Sequence, residues 1–488
     1  MKIALARAAV VTTILFTSAV SASAQQANQK DVEELKRAVE AQEDSLRQLK
    51  ERIRELEGDG APVVPPEAAP PPAAVDTEEP TSPAEEIEAM MARKYGRQSP
   101  IQYRANFDDK QEAAPRPSDE TFDTQYRGYI PIPNTVFLLK FNPKPRLDMM
   151  LDTDNSGDDF RFVPAKIPVK GTPQHGGGER FNANGNGSQI RVDMRAPALN
   201  SNFRLYYQND FFGSDTRHFQ YRLQHFYGQA YGIVAGFTYG VFEDPDAWPD
   251  TLDYEGPNAV IFARRPLVHY TLGLAEHWNL TLGLEDPDIY VDTTGDPNAS
   301  QRTRAPDGGF NVRWEPGDLG HIQFSTILRS IGVDGDTLGN DDVFGWGVNL
   351  AGSLKVTPTD TAQFWFVYGQ GVGGMGNDTS FVNSDAAFDS DGDLVALDYG
   401  SAMLALQHKW TPRWRSTATY GYVNLENTGL QAGDAYDFTH YASVNLVYQI
   451  FKRVSIGVEG LYGYHEVKSN DDGDVFRFQV STLYAPFD

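Results

Sequence analysis

The sequence predicts an all-β transmembrane barrel of about 16 antiparallel strands, preceded by an N-terminal helical coiled coil and a Pro-rich linker. Three observations carry this: a secretory leader, an apolar–polar alternation of period two that runs from Thr135 to the C-terminus, and strand lengths of about ten to fifteen residues. Soluble strands usually run ~5–6 residues, whereas a tilted membrane strand needs ~9–11. The alternation is plainest in Thr216–Phe242, TRHFQYRLQHFYGQAYGIVAGFTYGVF, which reads as two strands with a tight turn near Gly228. Phe219, Tyr221 and Leu223 share one face opposite His218, Gln220, Arg222 and Gln224; in the second strand Ile233, Ala235, Phe237, Tyr239 and Val241 oppose Val234, Gly236, Thr238 and Gly240. A soluble sandwich and a membrane barrel share this pattern, but strand length, aromatic strand ends and the leader favour the barrel.

The leader spans residues 1–24. Lys2 and Arg7 precede an apolar run from Ala8 to Val20, and Ala22-Ser23-Ala24 offers a small-residue cleavage site before Gln25. The run is shorter than the ~20 residues of a spanning helix, and no later run reaches that length. Membrane insertion then has to use a barrel, because lipid-exposed backbone must satisfy its own polar groups. A mean hydropathy of −0.46 fits half-polar strands with polar loops rather than a bundle of membrane helices. The chain has no cysteine, so disulfides, thiolate metal sites and a Cys nucleophile are excluded. Removing Lys2 and Arg7 with the leader takes the net charge from −25 to −27, which argues against nucleic acid as a partner.

Residues 25–57 read as a periplasmic coiled coil. Val32, Val39, Leu46 and Ile53 occupy heptad position a; Leu35, Leu49 and Leu56 occupy d, with Gln42 the one break. An isolated helix of this length is marginal in water, so self-association accounts for it, without deciding dimer from trimer. Residues 58–128 form an extended acidic linker: eleven of the thirty prolines lie between Gly58 and Glu120, interrupted by a short helix at about 84–93. Residues 129–488 form the barrel, with strands from 144–153 through 474–486. Its connections alternate between short turns, such as Trp410–Pro412 and Phe451–Arg453, and long Asp, Asn and Gly-rich loops at 154–187, 243–263, 287–306, 372–393 and 425–435. Short turns belong on the periplasmic side and long loops outside.

Turning the apolar parity to lipid leaves an inner face weighted to arginine. Arg191, Arg195, Arg204, Arg222, Arg265, Arg313 and Arg329 are the pore-lining basic candidates, with Asp193, Tyr206, Gln208, Gln224, His269, His321, Arg413, Arg415 and Arg477 on the same face. Such arginines either pair with inward carboxylates and stiffen the wall, or make an anion-preferring pore; the second is the working expectation, since guanidinium matches carboxylate geometry and stays charged. The loop after the Thr216–Phe242 hairpin, with Glu243, Asp244, Asp246, Asp250, Asp253 and Glu255, is the expected constriction: folded inward, it sets acids across from the arginines, whereas otherwise it is a surface loop.

The run YRLQHFYGQAYGIVAGFTYGVFEDPDAWPDTLDYEGPN, together with the order leader, coiled coil, linker and barrel, resembles the DcaP-like trimeric outer-membrane porins. The likeness spans residues 25–488, with its specific motif at 216–258. It implies a homotrimer of sixteen-stranded barrels in bacterial outer-membrane lipid, passing small anionic solutes such as dicarboxylates past basic residues, with the coiled coil trimerising in the periplasm. The chain departs from that pattern in ending Phe487-Asp488, in carrying Tyr239 after Thr238, and in the prolines Pro143 and Pro145 of its first strand.

An enzyme is not expected: there is no G-x-S-x-G or H-E-x-x-H and the nine histidines are scattered; no cofactor or metal is expected either. Asp389-Ser390-Asp391-Gly392-Asp393 and Asn470-Asp471-Asp472-Gly473-Asp474 look like oxygen-ligand loops but do not continue as EF-hands, and turn chemistry explains them. Two other readings are an envelope-spacing protein anchored by its barrel, and a sugar-preferring porin with aromatics such as Trp365 and Tyr206 along the path.

Overall fold

A computed structural model describes residues 129–196, 203–214 and 218–485. The leader (1–24), the coiled coil (25–57), the linker (58–128) with its short helix, and Thr216 of the hairpin lie outside the described residues. The described residues form a nearly all-antiparallel β-structure in which the helical turns are short 3-10 segments.

The principal strands are β1 (Leu138–Lys144), β2 (Arg146–Asp152), β3 (Arg180–Asn184), β4 (Gln189–Ala196), β5 (Phe203–Asp210) and β6 (Arg222–Ala230). They continue with β7 (Ile233–Tyr239), β8 (Arg264–Ala275), β9 (Trp278–Glu285), β10 (Asp307–Trp314), β11 (Gly320–Asp334) and β12 (Asp341–Lys355). The last six are β13 (Asp360–Gln370), β14 (Asp398–Lys409), β15 (Trp414–Leu425), β16 (Tyr436–Phe451), β17 (Val454–Val467) and β18 (Asp472–Tyr484). β1 pairs with β4 and β2 with β3. From β4 each strand pairs with the next through β18, which pairs with β2. Pro143 sits in β1 and Pro145 between β1 and β2, where the ladder changes register.

The β6–β7 hairpin turns at Tyr231-Gly232, three residues beyond the expected Gly228. The two residues have φ of 52° and 81°, the two-residue turn that suits twisted strands, and Ala230 faces Ile233. Only Gly232, of the two glycines, falls where the second left-handed residue is needed. A bulge opposite Gln208/Asn209 then puts both Gln224 and His225 on the buried face.

The sheet is turned inside out relative to a soluble one. On β2, Leu147, Met149 and Leu151 are exposed while Arg146, Asp148 and Asp152 are buried; on β18, Phe476 and Phe478 are exposed while Arg477, Gln479 and Ser481 are buried. Aromatics gather at strand ends. Trp278 meets Trp314 at 6.2 Å and Trp414 meets Tyr448 at 4.5 Å near the short turns, and Tyr422, Phe438 and Tyr464 surround His440 near the long loops.

Three long connections, 153–179, 240–263 and 371–397, pack on the buried face. Trp248, Val260 and Ile261 of the second and Val372, Met375 and Ala387 of the third share one apolar core with Trp365, Met403 and Val423 of the strands. Phe162 and Ile167 of the first pack with Tyr441, Leu461 and Val475. Two expectations change here. Tyr239 and Val241 are buried rather than on the apolar exposed face, because β7 ends at Tyr239 and the chain folds over the sheet; Arg413 is exposed, because it lies in the turn before β15.

Candidate functional site

The 240–263 segment is placed by side-chain amides of the strands reaching its backbone. Asn311 donates to the carbonyl of Val241 (3.0 Å), Asn349 to that of Phe242 (2.7 Å), and Gln323 to that of Glu243 (2.9 Å), while the Glu285 carboxylate accepts from Val241 N–H (2.8 Å). These anchors lie on four strands, β9 to β12, so the root of the loop is fixed before its acidic stretch begins.

Each predicted loop acid has a distinct setting. Asp244 accepts from Arg313 (3.2 Å) and contacts the ring of His321 (2.8 Å), and Asp246 pairs with Arg313 (2.7 Å). Asp250 pairs with Arg415 and accepts from Gln407 (2.9 Å). Asp253 accepts from Tyr441 (3.2 Å) while its backbone N–H donates to Glu459 (2.6 Å), and Glu255 lies 3.7 Å from Arg161 of the 153–179 loop. Among the described residues, neither carboxylate oxygen of Glu243 has a hydrogen-bond partner. Burial and the nearby charge of Glu285 push its pKa up to about 8. Burial and the Glu459 charge likewise hold Asp253 well above the usual carboxylate range.

The predicted arginines are held by carboxylates and amides of the wall and loops. Arg195 and Arg204 share Asp193 (both 2.9 Å), Arg222 holds Asp210 (2.6 Å), and Arg265 and Arg329 share Asp307 (2.8 and 2.9 Å), with Arg329 also on Asp385 (2.9 Å). Arg313 holds the two loop acids already named, and Arg191 donates to Gln189 (2.6 Å). A planar five-donor group suits such two-carboxylate bridging. Trp365 is sealed in the apolar core and Tyr206 lies under the Arg204 guanidinium at 4.2 Å.

Sequence reasoning missed three features. The 371–397 segment also folds onto the buried face: Asp378 accepts from Ala165 N–H (2.9 Å), Thr439 (2.6 Å) and Tyr436 (3.1 Å), and burial pushes it up to about 6. Apolar residues interspersed with its glycines, Val372, Met375 and Ala387, were the available signal. Arg146, buried against Asp148 (2.8 Å), lies within the first expected strand, 144–153, but is not among the basic residues that the alternation assigned inward. Arg264 stacks on Tyr239 and Phe262 with its guanidinium carbon 5.0 and 4.3 Å from their ring centres. Parity alone would send it to the face opposite Arg265. Asp389, in the first oxygen-rich loop, accepts the N–H groups of Asp391 (2.9 Å) and Asp393 (3.0 Å), which is turn chemistry.

Comparison with known proteins gives a family and a fold. The profile of the family described as DcaP outer membrane protein matches residues 124–485. The crystal structure of the outer membrane channel DcaP of Acinetobacter baumannii is similar with a TM-score of 0.64 at 18% identity, covering 72% of this chain and 97% of that one. The anion-selective porin from Comamonas acidovorans aligns with a TM-score of 0.48 at 10% identity, covering 72% of this chain and 99% of that one. No curated protein matches the chain.

Proposed function

The chain belongs to the DcaP outer membrane protein family, and on that premise we propose that it is a passive diffusion channel for small anionic solutes such as dicarboxylates. Counting β1 with β2 and β3 with β4 as single kinked strands makes sixteen, and the pairing of β18 with β2 supports their closure into one barrel. Lipid covers the apolar exposed face and water fills what the three folded-in loops leave open. The 240–263 segment is the constriction: its acids face arginines of the wall, which sets a transverse field across the path. Family and fold place the protein in the outer membrane and point to a channel rather than an enzyme.

One observation carries this reading. The buried face of a sheet with an apolar exterior is studded with arginine, from Arg191 on β4 to Arg477 on β18, in a chain of net negative charge. Residues 1–24 act as the leader, residues 25–57 as a periplasmic coiled coil that joins three barrels, and residues 58–128 as the linker between them. The test is the reversal potential of the purified protein in a planar bilayer under a salt gradient. An anion-selective value is expected; a cation-selective one overturns the solute assignment and leaves the barrel standing.

A further inference from the structure

The two halves of the 240–263 segment are held by different neighbours. Its first half hangs on the wall, through the Asn311, Asn349 and Gln323 amides already described. Its second half is held by another loop as well. The Asn377 side-chain amide donates to the carbonyls of both Glu255 and Pro257 (3.0 Å each). The two backbones then run antiparallel: Asn377 N–H donates to the Val260 carbonyl and Phe262 N–H to that of Met375 (both 2.9 Å). Wall side chains take the residues between, Asn258 donating to Thr439 (2.9 Å) and Ser401 to the Ala259 carbonyl (2.8 Å). Gly256, with φ of 80°, turns the chain at this point, so the carbonyls on either side of it lie outside any strand ladder and need a donor from elsewhere.

Asn377 is itself fixed from two sides. At the base of its segment Arg329 donates to the Gly371 carbonyl (2.8 Å) and pairs with Asp385 (2.9 Å), whose carboxylate also accepts from Gly374 N–H (2.8 Å) and Tyr290 N–H (2.9 Å). On the other side Asp378, the next residue, is tied to Ala165 of the 153–179 loop and to Thr439 of the wall. A sealed ion pair therefore sets where the 371–397 segment stands, and that segment sets where the second half of the constriction loop stands. We infer that Asn377 is a positioning residue for the constriction, and that the aperture is fixed by two interlocked loops rather than by the 240–263 segment alone. The inference rests on reading that segment as the constriction of a channel and deepens it by naming what holds its width.

The chain has no cysteine, so a single introduced thiol reports on the loop. Full-length protein carrying Val260→Cys, at a fully buried position, is treated in detergent with a membrane-impermeant maleimide, alone and combined with Asn377→Ala or Asp385→Asn, each first checked for heat-modifiable migration as a folded barrel. Loss of the two Asn377 amide bonds is expected to raise the labelling rate about tenfold, because the released loop is populated more. Asp385→Asn loosens the base of the same segment and is expected to act in the same direction. In planar bilayers the two variants without the cysteine are expected to conduct about twofold more than wild type and to admit polyethylene glycols that wild type excludes, readouts that weakened packing elsewhere in the barrel would not move. Unchanged labelling and an unchanged size limit in Asn377→Ala, or in Asp385→Asn should the first not fold, overturn the role of Asn377. A wild type that carries no current overturns the channel reading, and labelling, which needs no current, still decides whether Asn377 holds the loop.

Discussion

Two acidic segments of this chain end up in opposite environments. Residues 243–255 carry six carboxylates and lie buried; residues 389–393 carry three aspartates in an exposed or half-buried turn beside β12. Charge density does not separate them. The first alternates its acids with Trp248, Leu252 and Tyr254 and continues into Ala259-Val260-Ile261, which enter an apolar core; the second has only Ser390 and Gly392 between its aspartates. The buried segment also meets Arg313, Arg415 and Arg161, while Asp389 spends its oxygen on its own turn. Burial of a carboxylate needs apolar area to drive the segment in and a cation to receive the charge.

The strongest way to break this contrast is Ile261→Asp. Ile261 is fully buried, and an unpaired carboxylate there is expected to cost about 5 kcal/mol, releasing the loop. Limited proteolysis should then cut within 243–258 and single-channel conductance should rise. Next, Arg415→Gln removes the guanidinium paired with Asp250, for which about 3 kcal/mol is expected, read as a lowered unfolding temperature in detergent with the secondary structure intact. Restoring neutrality with Asp250→Asn on that background should recover part of the loss, since the pair is coupled.

Glu243 supplies a pH test. It faces Glu285 of β9 and Arg265 of β8 and is raised from 4.5 to about 8, so the docked loop favours its protonated form. The contribution to loop docking is fully present below about pH 4.5 and is lost as pH rises through about 8. Protease susceptibility of the loop should therefore increase between pH 5 and 9, and Glu243→Gln should flatten that rise. The smallest effect belongs to the exposed turn: Asp391→Asn should change stability by less than about 0.5 kcal/mol, because Asp391 contributes its backbone N–H rather than its carboxylate to the turn. A larger change would show that the two acidic segments differ less than their surroundings suggest.

Strands were legible because alternation is local. A residue such as Phe478 or Arg477 declares its face by its neighbours, whatever lies across the sheet, and aromatic-rich ends such as Trp414 mark the boundaries. Arg265 and Arg329 were legible as buried for the same reason. Their partners were not: Asp307 reaches both from a third strand, and Asp385 comes from a loop, separations of 22 to 56 residues that no spacing rule encodes. Arg264 escaped notice because it opens β8, where the chain arrives from the folded-in loop and parity no longer predicts the side chain's surroundings.

By itself the sequence determined the order of strands, the two faces and the acidic character of the segment after β7, since these follow from period-two patterning and composition. The tertiary structure alone decided which loops turn inward and which arginines meet a carboxylate. Both depend on sums over distant groups: the apolar area that Trp248, Ile261 and Met375 pool from separate loops, and the carboxylates that long-range folding brings to some guanidinium groups and not to Arg264.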